Sequence, residues 1–335
     1  MSPDMDLVTL DDVNDAAERI AHAVMRTPLI PCPWADPERP LTLKPEILQV
    51  IGSFKIRGAV NALARVDASV RARGVVAYSS GNHAQAVAWA AKELGVPAHI
   101  VMPEETPQVK VDATRRHGAE VVLCDTGRRE EVAAEIVTAT GGTLVPPFDH
   151  PDVIAGQGTI GVEIVEDLPD VDVVLVPVSG GGLASGVAVA VKTMRPGTRV
   201  YGVEPALAAD ARDSLHAGHR VDWPIEDRNR TIADALRSQP SELTFAHLSR
   251  LLDGIVAVSE DEILDAIRTL ALDAHLVAEP GGAVAVAAYL HHAEELSPGH
   301  VVAVVSGGNI DPEIFARAMR SGGADPKPDA LPDHN

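Results

Sequence analysis

Six lysines stand against 22 arginines in this 335-residue chain, so few amines are placed for covalent chemistry with a carbonyl. Lys92 and Lys192 fall on helical patterns as solvated faces, Lys110 in a charged helix and Lys327 in the tail, which leaves Lys44 and Lys55. Lys55 lies in Ser53-Phe54-Lys55-Ile56-Arg57-Gly58-Ala59, a segment that turns into a helix around residues 59–63. An amine desolvated among Phe54, Ile56 and a phosphate-bearing cofactor forms an imine and then serves as a base. The plainer reading is a surface lysine at a helix start.

Three glycine-bearing turns follow apolar runs. Gly180-Gly181-Gly182-Leu183 comes after the run 171–178 and opens a helix, so its free amides and the helix dipole suit a phosphate. A tight strand-to-helix turn explains the same glycines, and without a Gly-Lys-Ser ending a nucleoside triphosphate loop is disfavoured. Ser79-Ser80-Gly81-Asn82-His83-Ala84-Gln85 crowds hydroxyls, an amide and an imidazole at a strand end, where ligands gather in open α/β sheets and backbone amides bind a carboxylate. The alternative there is a capping turn with His83 incidental. Ser306-Gly307-Gly308-Asn309 repeats the arrangement after the run 301–306.

The elements that must position these turns alternate between strand and helix patterns, which predicts an α/β fold with parallel-rich sheets flanked by helices. Strands are expected at 75–79, 98–102, 120–124 and 144–145, with helices at 82–94, 109–117 and 129–140 between them. A second set has helices at 160–167, 183–194, 260–275 and 282–292 and strands at 171–178, 199–203 and 301–306. Residues 210–237 read as an irregular charged excursion, and 321–335 as a disordered tail.

Hydrophobic residues make up 46% and charged residues 23%, an ordinary composition for a folded enzyme-sized chain. A net charge of −20 repels phosphate backbones and anionic surfaces, which argues against nucleic acid or membrane as partner. The uncharged run 173–191 is broken by Pro177 and three glycines and is not a spanning helix. Cys32 and Cys124 have no metal-spaced neighbours, and the first ten residues lack a leader pattern; a reducing cytoplasm fits.

As an ordered set, the Lys55, Ser80-Gly81-Asn82-His83, Ser179-to-Leu183 and Ser306-to-Asn309 segments resemble the fold-type II pyridoxal-phosphate enzymes, most nearly the threonine/serine dehydratase and serine racemase branch. Phe148-Asp149 with Gly156-Gln157-Gly158-Thr159, Val203-Glu204-Pro205, Thr231-Ile232-Ala233-Asp234 and Glu279-Pro280-Gly281-Gly282-Ala283 extend the likeness over about residues 11–315. The resemblance implies a two-domain fold of the tryptophan synthase β kind, with residues 68–147 as a small domain and 1–67 with 148–320 as the large one. The cofactor would lie in the cleft, with Lys55 and Asn82 on one face and Gly181 and Ser306 coming from the other domain. A homodimer is implied too.

By the same resemblance, Lys55 holds pyridoxal 5'-phosphate and moves the substrate Cα proton. Phe54 packs on the ring, Asn82 bonds its hydroxyl, Glu279 and Ser306 complete the ring contacts, and Ser179, Gly180, Gly181, Gly182 and Leu183 bind the phosphate. Ser79, Ser80, Gly81, Asn82 and His83 receive the carboxylate of a small amino-acid substrate, with Ser80 on the face of Cα opposite Lys55. Glu204, the Ala208 carbonyl and Asp210 match the spacing of a Mg²⁺ or Ca²⁺ site.

Three departures accompany the likeness. Ile47 and Ile51 replace the usual Asn and Thr, Ala235 replaces a glycine, and the catalytic unit is expected to end near Arg320 without a regulatory domain or isoleucine feedback. The activity implied is dehydration of L-threonine or L-serine to 2-oxobutyrate or pyruvate plus ammonia. Serine racemase and threo-3-hydroxyaspartate dehydratase are the near alternatives, β-replacement of the cysteine synthase kind a distant one, and a non-catalytic ligand-binding protein on the same fold the reading from another class.

Overall fold

The computed structural model describes residues 6–320, so the expected tail 321–335 lies outside the described residues. Its strands are β1 (Ile30–Pro31), β2 (Leu41–Pro45), β3 (Val75–Tyr78), β4 (Ala98–Pro103), β5 (Glu120–Cys124), β6 (Thr143–Leu144), β7 (Val173–Pro177), β8 (Arg199–Pro205), β9 (Gly254–Val258) and β10 (Val301–Val305). They form two sheets, β1-β2-β10-β7-β8-β9 and β5-β4-β3-β6, parallel throughout except for the edge pair β1 and β2. Strands β7 and β10 are buried along their whole length, which is why they read as unbroken valine-rich runs rather than as alternating ones. All four strands of the smaller sheet come from residues 75–144, and the larger sheet draws on the chain before and after them. Among the described residues no helix is long and apolar enough to cross a membrane.

Several expected elements shift. The helix expected at 160–167 begins nine residues earlier and spans Pro151–Asp167, capped by His150 with proline in its first turn. Gly156, Gly158 and Gly161 look like helix breakers in sequence, yet here they are contact points. A methyl group at Gly158 would press on Gly186 O and Val13, and one at Gly186 would overlap Ile154 O and lie 2.5 Å from Gly158 N. This helix and Gly182–Met194 thus touch backbone to backbone, which only glycine permits.

The excursion 210–237 is not irregular throughout. It contains the helices Asp210–Ala217 and Ile225–Arg228 and the 3₁₀ turn Asp234–Leu236. Strands β2 and β9 and the helices Leu10–Ile20 and Glu242–Leu251 are added to the pattern expected above. Strand β2 escaped a hydrophobicity reading because Lys44, its fourth of five residues, interrupts the apolar pattern although it is fully buried.

Lys44 belongs to a buried charge network. Its Nζ donates to Glu163 Oε2 at 2.5 Å and to Thr27 O at 2.7 Å. Arg57, also without exposure, donates through Nε and Nη2 to both carboxylate oxygens of Glu46 at 2.8 Å, and through Nη1 and Nη2 to Glu163 at 2.6 and 2.9 Å. Burial would push Glu46 up, but the Arg57 guanidinium holds it below the ordinary carboxylate value. Four charged side chains thereby join β2, the 3₁₀ turn Glu46–Leu48, the helix Lys55–Arg65 and the helix Pro151–Asp167. Lys44 is structural, and Lys55 is the lysine left for chemistry.

The glycine contact yields a direct test. Gly186→Ala should cost at least about 2 kcal/mol in denaturant unfolding, because both overlapping atoms are backbone. Gly197→Ala, whose methyl would meet open space, should leave the unfolding midpoint within about 0.5 kcal/mol of the parent. Equal midpoints for the two variants would refute the close approach.

Candidate active site

Lys55 is the first residue of the helix Lys55–Arg65, and the chain just before it is stitched to the turn after β10. Phe54 N donates to Ser306 O at 3.0 Å, Gly308 N to Gly52 O at 2.9 Å, and Ser53 pairs with Gly307 in an antiparallel bridge. Asn309 Nδ2 adds a bond to Ile51 O at 2.9 Å. The expected placement of Lys55 with Asn82, facing Ser306 from another domain, is therefore corrected: Lys55 and Ser306 share one supporting wall. Ordered backbone bonds between the two segments leave no room for the other arrangement.

The lysine amine donates to Pro147 O at 2.9 Å and lies 5.1 Å from the Phe54 ring centroid. Burial lowers its pKa to about 8, with the Glu279 charge acting weakly the other way. Pro147 and Phe148 connect it to the glycine turn, since the Phe148 ring lies where a methyl group on Gly180 would stand, and Phe148 Cβ and backbone lie against Gly182. Gly181 takes φ +88 as N-cap of the helix Gly182–Met194, whose first-turn amides have no intrahelical acceptor. The Ser179 hydroxyl is occupied: it accepts from Ser238 N at 3.0 Å and donates to Ser238 O at 3.2 Å. What 179–183 offers an anion is backbone amide and dipole rather than that hydroxyl.

Asn82 opens the helix Asn82–Glu93 and reaches across to the other sheet's side. Its Nδ2 donates to Glu279 Oε1 at 2.7 Å, and its Oδ1 accepts from Asn309 Nδ2 at 2.7 Å. Burial, and then the Asp234 charge, raise the Glu279 pKa to about 7. Ser306, nearly buried, donates to Gly281 O at 3.3 Å. A methyl at Gly307 would overlap Glu279 Oε1, so glycine is required there for these groups to meet.

Within the Ser79 to His83 turn, Ser79 Oγ accepts from Gly81 N at 3.2 Å, and the space beside Gly81 is open. His83 is buried, with Nε2 at 2.9 Å from Val145 O, and burial plus the nearby Lys55 charge lower its pKa to about 3. Its ring is a neutral donor to the backbone, so what position 83 can present to a carboxylate is its amide. Ile51 is buried among Ile56, Ala59 and Val60, and Ile47 lies against Gly308, so both support the turns beside Lys55 and Ser306.

Arg57, Gln157, Thr159 and Asn309 complete the setting. Gln157 Oε1 accepts from Gly58 N at 3.3 Å, and Thr159 Oγ1 accepts from Arg57 Nη1 at 3.0 Å; these hold the Lys55 helix from behind. Asn309 and Glu279 both bind Asn82, and only Glu279 was assigned to the site from sequence; the side-chain amide closing the last glycine turn was the available signal for Asn309.

Glu204 and Asp210 are also brought together. Glu204 accepts from Ala211 N at 3.2 Å and Arg212 N at 2.9 Å, capping the helix Asp210–Ala217, and burial and Asp210 raise its pKa well above the carboxylate range. Burial raises Asp210 to about 7, opposed by Arg228, and its Oδ2 is buried with no partner among the described residues. Two enclosed carboxylates, one with a free oxygen, beside the buried Ala208, fit a divalent cation bound through oxygen.

A family model described as "Pyridoxal-phosphate dependent enzyme" matches residues 20–307. The L-threonine ammonia-lyase of Thermotoga maritima is 45% identical over 324 residues, covering 94% of this chain and 79% of that protein. The L-threo-3-hydroxyaspartate ammonia-lyase of Saccharomyces cerevisiae is 40% identical over 313 residues, covering 92% and 95%. The solved structure of maize serine racemase superposes with a TM-score of 0.89 at 36% identity, covering 94% of this chain and 97% of that one. The chain belongs to the pyridoxal-phosphate-dependent enzyme family, on the fold-type II scaffold. Its cofactor is pyridoxal phosphate, and a half-buried lysine without a carboxylate partner, linked through Pro147 and Phe148 to a glycine turn whose first-turn amides have no intrahelical acceptor, fits that group.

Two measurements follow. Only the unprotonated amine captures an aldehyde, so the rate at which cofactor-free protein takes up pyridoxal phosphate should rise with pH through a midpoint near 8; a midpoint near the ordinary 10.5 would refute the desolvated setting. The carboxyls of Glu204 and Asp210 hold protons more tightly folded than unfolded, so stability falls as pH rises above the ordinary carboxylate range, the Asp210 contribution being lost as pH passes about 7. At pH 8, Mg²⁺ or Ca²⁺ should therefore raise Tm by about 2–4 °C. Asp210→Asn should raise the cation-free Tm and abolish that response; a response that survives the substitution would remove Asp210 from the site.

Proposed function

We propose that the protein is an ammonia-lyase that dehydrates L-threonine or L-serine, releasing ammonia and 2-oxobutyrate or pyruvate. The observation that carries the reading is the Lys55 amine: desolvated, lowered to about 8, and held by a backbone carbonyl rather than by a carboxylate. An amine so poised is free enough near neutral pH to take a proton from carbon and strong enough to remain a useful base. The 45% identity to a threonine ammonia-lyase, above that to the hydroxyaspartate enzyme and the racemase, supports the choice of substrate class.

When bound, pyridoxal phosphate supplies the conjugated system that stabilises negative charge at the substrate Cα. The amides of Gly180 to Leu183 and the helix dipole behind them hold its phosphate. Asn82, fixed by Glu279 and Asn309, orients the ring through its hydroxyl, Phe54 packs on the ring, and Ser306 faces the pyridine nitrogen. Because a neutral serine hydroxyl, unlike a carboxylate, does not stabilise a protonated ring nitrogen, Ser306 would not enforce a charged ring, which would favour early loss of the β-hydroxyl. The amides of residues 79–83 hold the substrate carboxylate while Lys55 Nζ takes the Cα proton. Glu204, Ala208 O and Asp210 hold a Mg²⁺ or Ca²⁺ ion away from the reacting atoms. Residues 68–147 act as a small domain against 6–67 with 148–320, and the working form is a cytoplasmic homodimer.

One observation favours a second activity. The Ser80 hydroxyl is half-buried in the carboxylate turn and makes no hydrogen bond among the described residues, so it is available to deliver a proton to the other face of Cα. Inversion needs that donor, whereas elimination from the L-substrate needs one face only.

A panel of L-threonine, L-serine, D-serine and L-threo-3-hydroxyaspartate, read for keto-acid release and for inversion, tests both readings. The lyase reading expects L-threonine or L-serine to give the highest kcat/KM. It fails if hydroxyaspartate or inversion dominates, or if Lys55→Ala keeps the cofactor's visible absorbance. Ser80→Ala should lower inversion and D-serine turnover at least about 100-fold while sparing most L-threonine turnover. Equal losses would make Ser80 a positioning group for substrate or cofactor.

A further inference from the structure

Among the described residues, two side chains of the 68–147 segment bond side chains at 234–309. One is Asn82 with Glu279 and Asn309, inside the site. The other is Lys110, on the helix Gln108–Arg116, whose Nζ donates to Asp234 Oδ2 at 2.7 Å. Asp234 begins the 3₁₀ turn Asp234–Leu236, and that turn leans on the site: a methyl at Gly281 would lie 3.2 Å from both Ala235 Cβ and Leu236 Cγ. Gly281 is the residue whose carbonyl takes the Ser306 hydroxyl. The far end of the Lys110 pair thus rests on the wall that carries Ser306 and Glu279.

Solvent access separates this pair from the buried ones. The Lys110 and Asp234 side chains are 32% and 47% exposed, whereas Lys44 and Arg57 are wholly enclosed. Breaking an enclosed pair strands a charge out of water, so such pairs stay closed during the life of the fold. A half-exposed pair exchanges its partner for water at small cost and re-forms readily. Both charges also act on Glu279, Asp234 raising and Lys110 lowering its pKa, so forming the pair offsets two opposed influences on the carboxyl that holds Asn82.

We propose that Lys110 and Asp234 are a reversible clasp over the cleft, positioning residues that part to admit substrate and re-form above it, setting how often the cleft is closed without touching reacting atoms. The inference rests on Lys55 and Asn82 marking the site, which the absorbance of Lys55→Ala tests independently.

The test uses the cofactor-loaded protein and compares Lys110→Met, Asp234→Asn and the charge exchange Lys110→Asp with Asp234→Lys. Each single variant should keep its visible absorbance, raise KM about 1.5- to 5-fold with kcat little changed, and show faster hydrogen exchange over residues 108–116. The exchanged pair should bring KM and hydrogen exchange back toward the parent. Sodium chloride at 0.5 M, roughly enough to screen a surface pair, should raise the parent's KM and leave the single variants' unchanged. Parent-like KM and exchange in the single variants, an exchanged pair no better than either, or lost absorbance in the single variants would each overturn the clasp.

Discussion

The position of Lys55 depends on a charge two residues further along its helix. Arg57 is enclosed completely, and an enclosed guanidinium is tolerable only if carboxylates meet it with good geometry. Glu46 and Glu163 do so on its two adjoining edges, both taking a bond from Nη2, and Glu163 is shared with the equally enclosed Lys44. That requirement fixes the helix Lys55–Arg65 against β2 on one side and the helix Pro151–Asp167 on the other. Because Pro151–Asp167 meets Gly182–Met194 through glycine backbone contacts, the placement of the glycine turn 180–182 follows from the same anchor. A hydrophobic core of equal volume could stabilise the fold as well, but it would leave the helix freer to slide along its axis, and Lys55 with it.

The cleft in front of the anchor is governed by the opposite rule: its polar groups are enclosed without full ionic partners. Burial lowers Lys55 and His83 and raises Glu279, each toward its neutral form. One cause therefore yields an amine with an appreciable unprotonated fraction near neutral pH, a neutral imidazole that braces Val145, and a carboxyl near its midpoint beside Asn82. A site of this kind suits proton transfer at carbon, since full ion pairs would hold the amine protonated. The two rules occupy opposite faces of one helix turn, with Lys55 on the cleft side and Arg57 behind it.

Much of the chemistry was legible along the chain. Lysine scarcity narrowed the amines to Lys44 and Lys55, glycine turns after apolar runs marked 180–182 and 306–309, and the alternation of patterns pointed to parallel α/β sheets. Those signals are local: a turn, a cap or a buried parallel strand is encoded in a few adjacent residues. The choice between Lys44 and Lys55 was not local, because it rests on Glu163, 119 residues from Lys44. Glycines at 156, 158 and 161 misled for the same reason: Gly156 meets the backbone of the earlier helix at Arg57 and Gly58, and Gly158 and Gly161 meet the later helix at Gly186 and Val187, so none breaks its own helix.

By itself, then, the sequence determined where the glycine-bearing turns follow buried strands and which family the chain belongs to. Tertiary structure alone decided that Lys55 shares a wall with Ser306, that His83 faces the backbone, that the Ser179 hydroxyl is already engaged, and that Lys110 crosses to Asp234. Residue type and spacing specify what a group can do, but its partners, its access to water and hence its charge state come from segments distant in sequence, and those are set only when the chain packs.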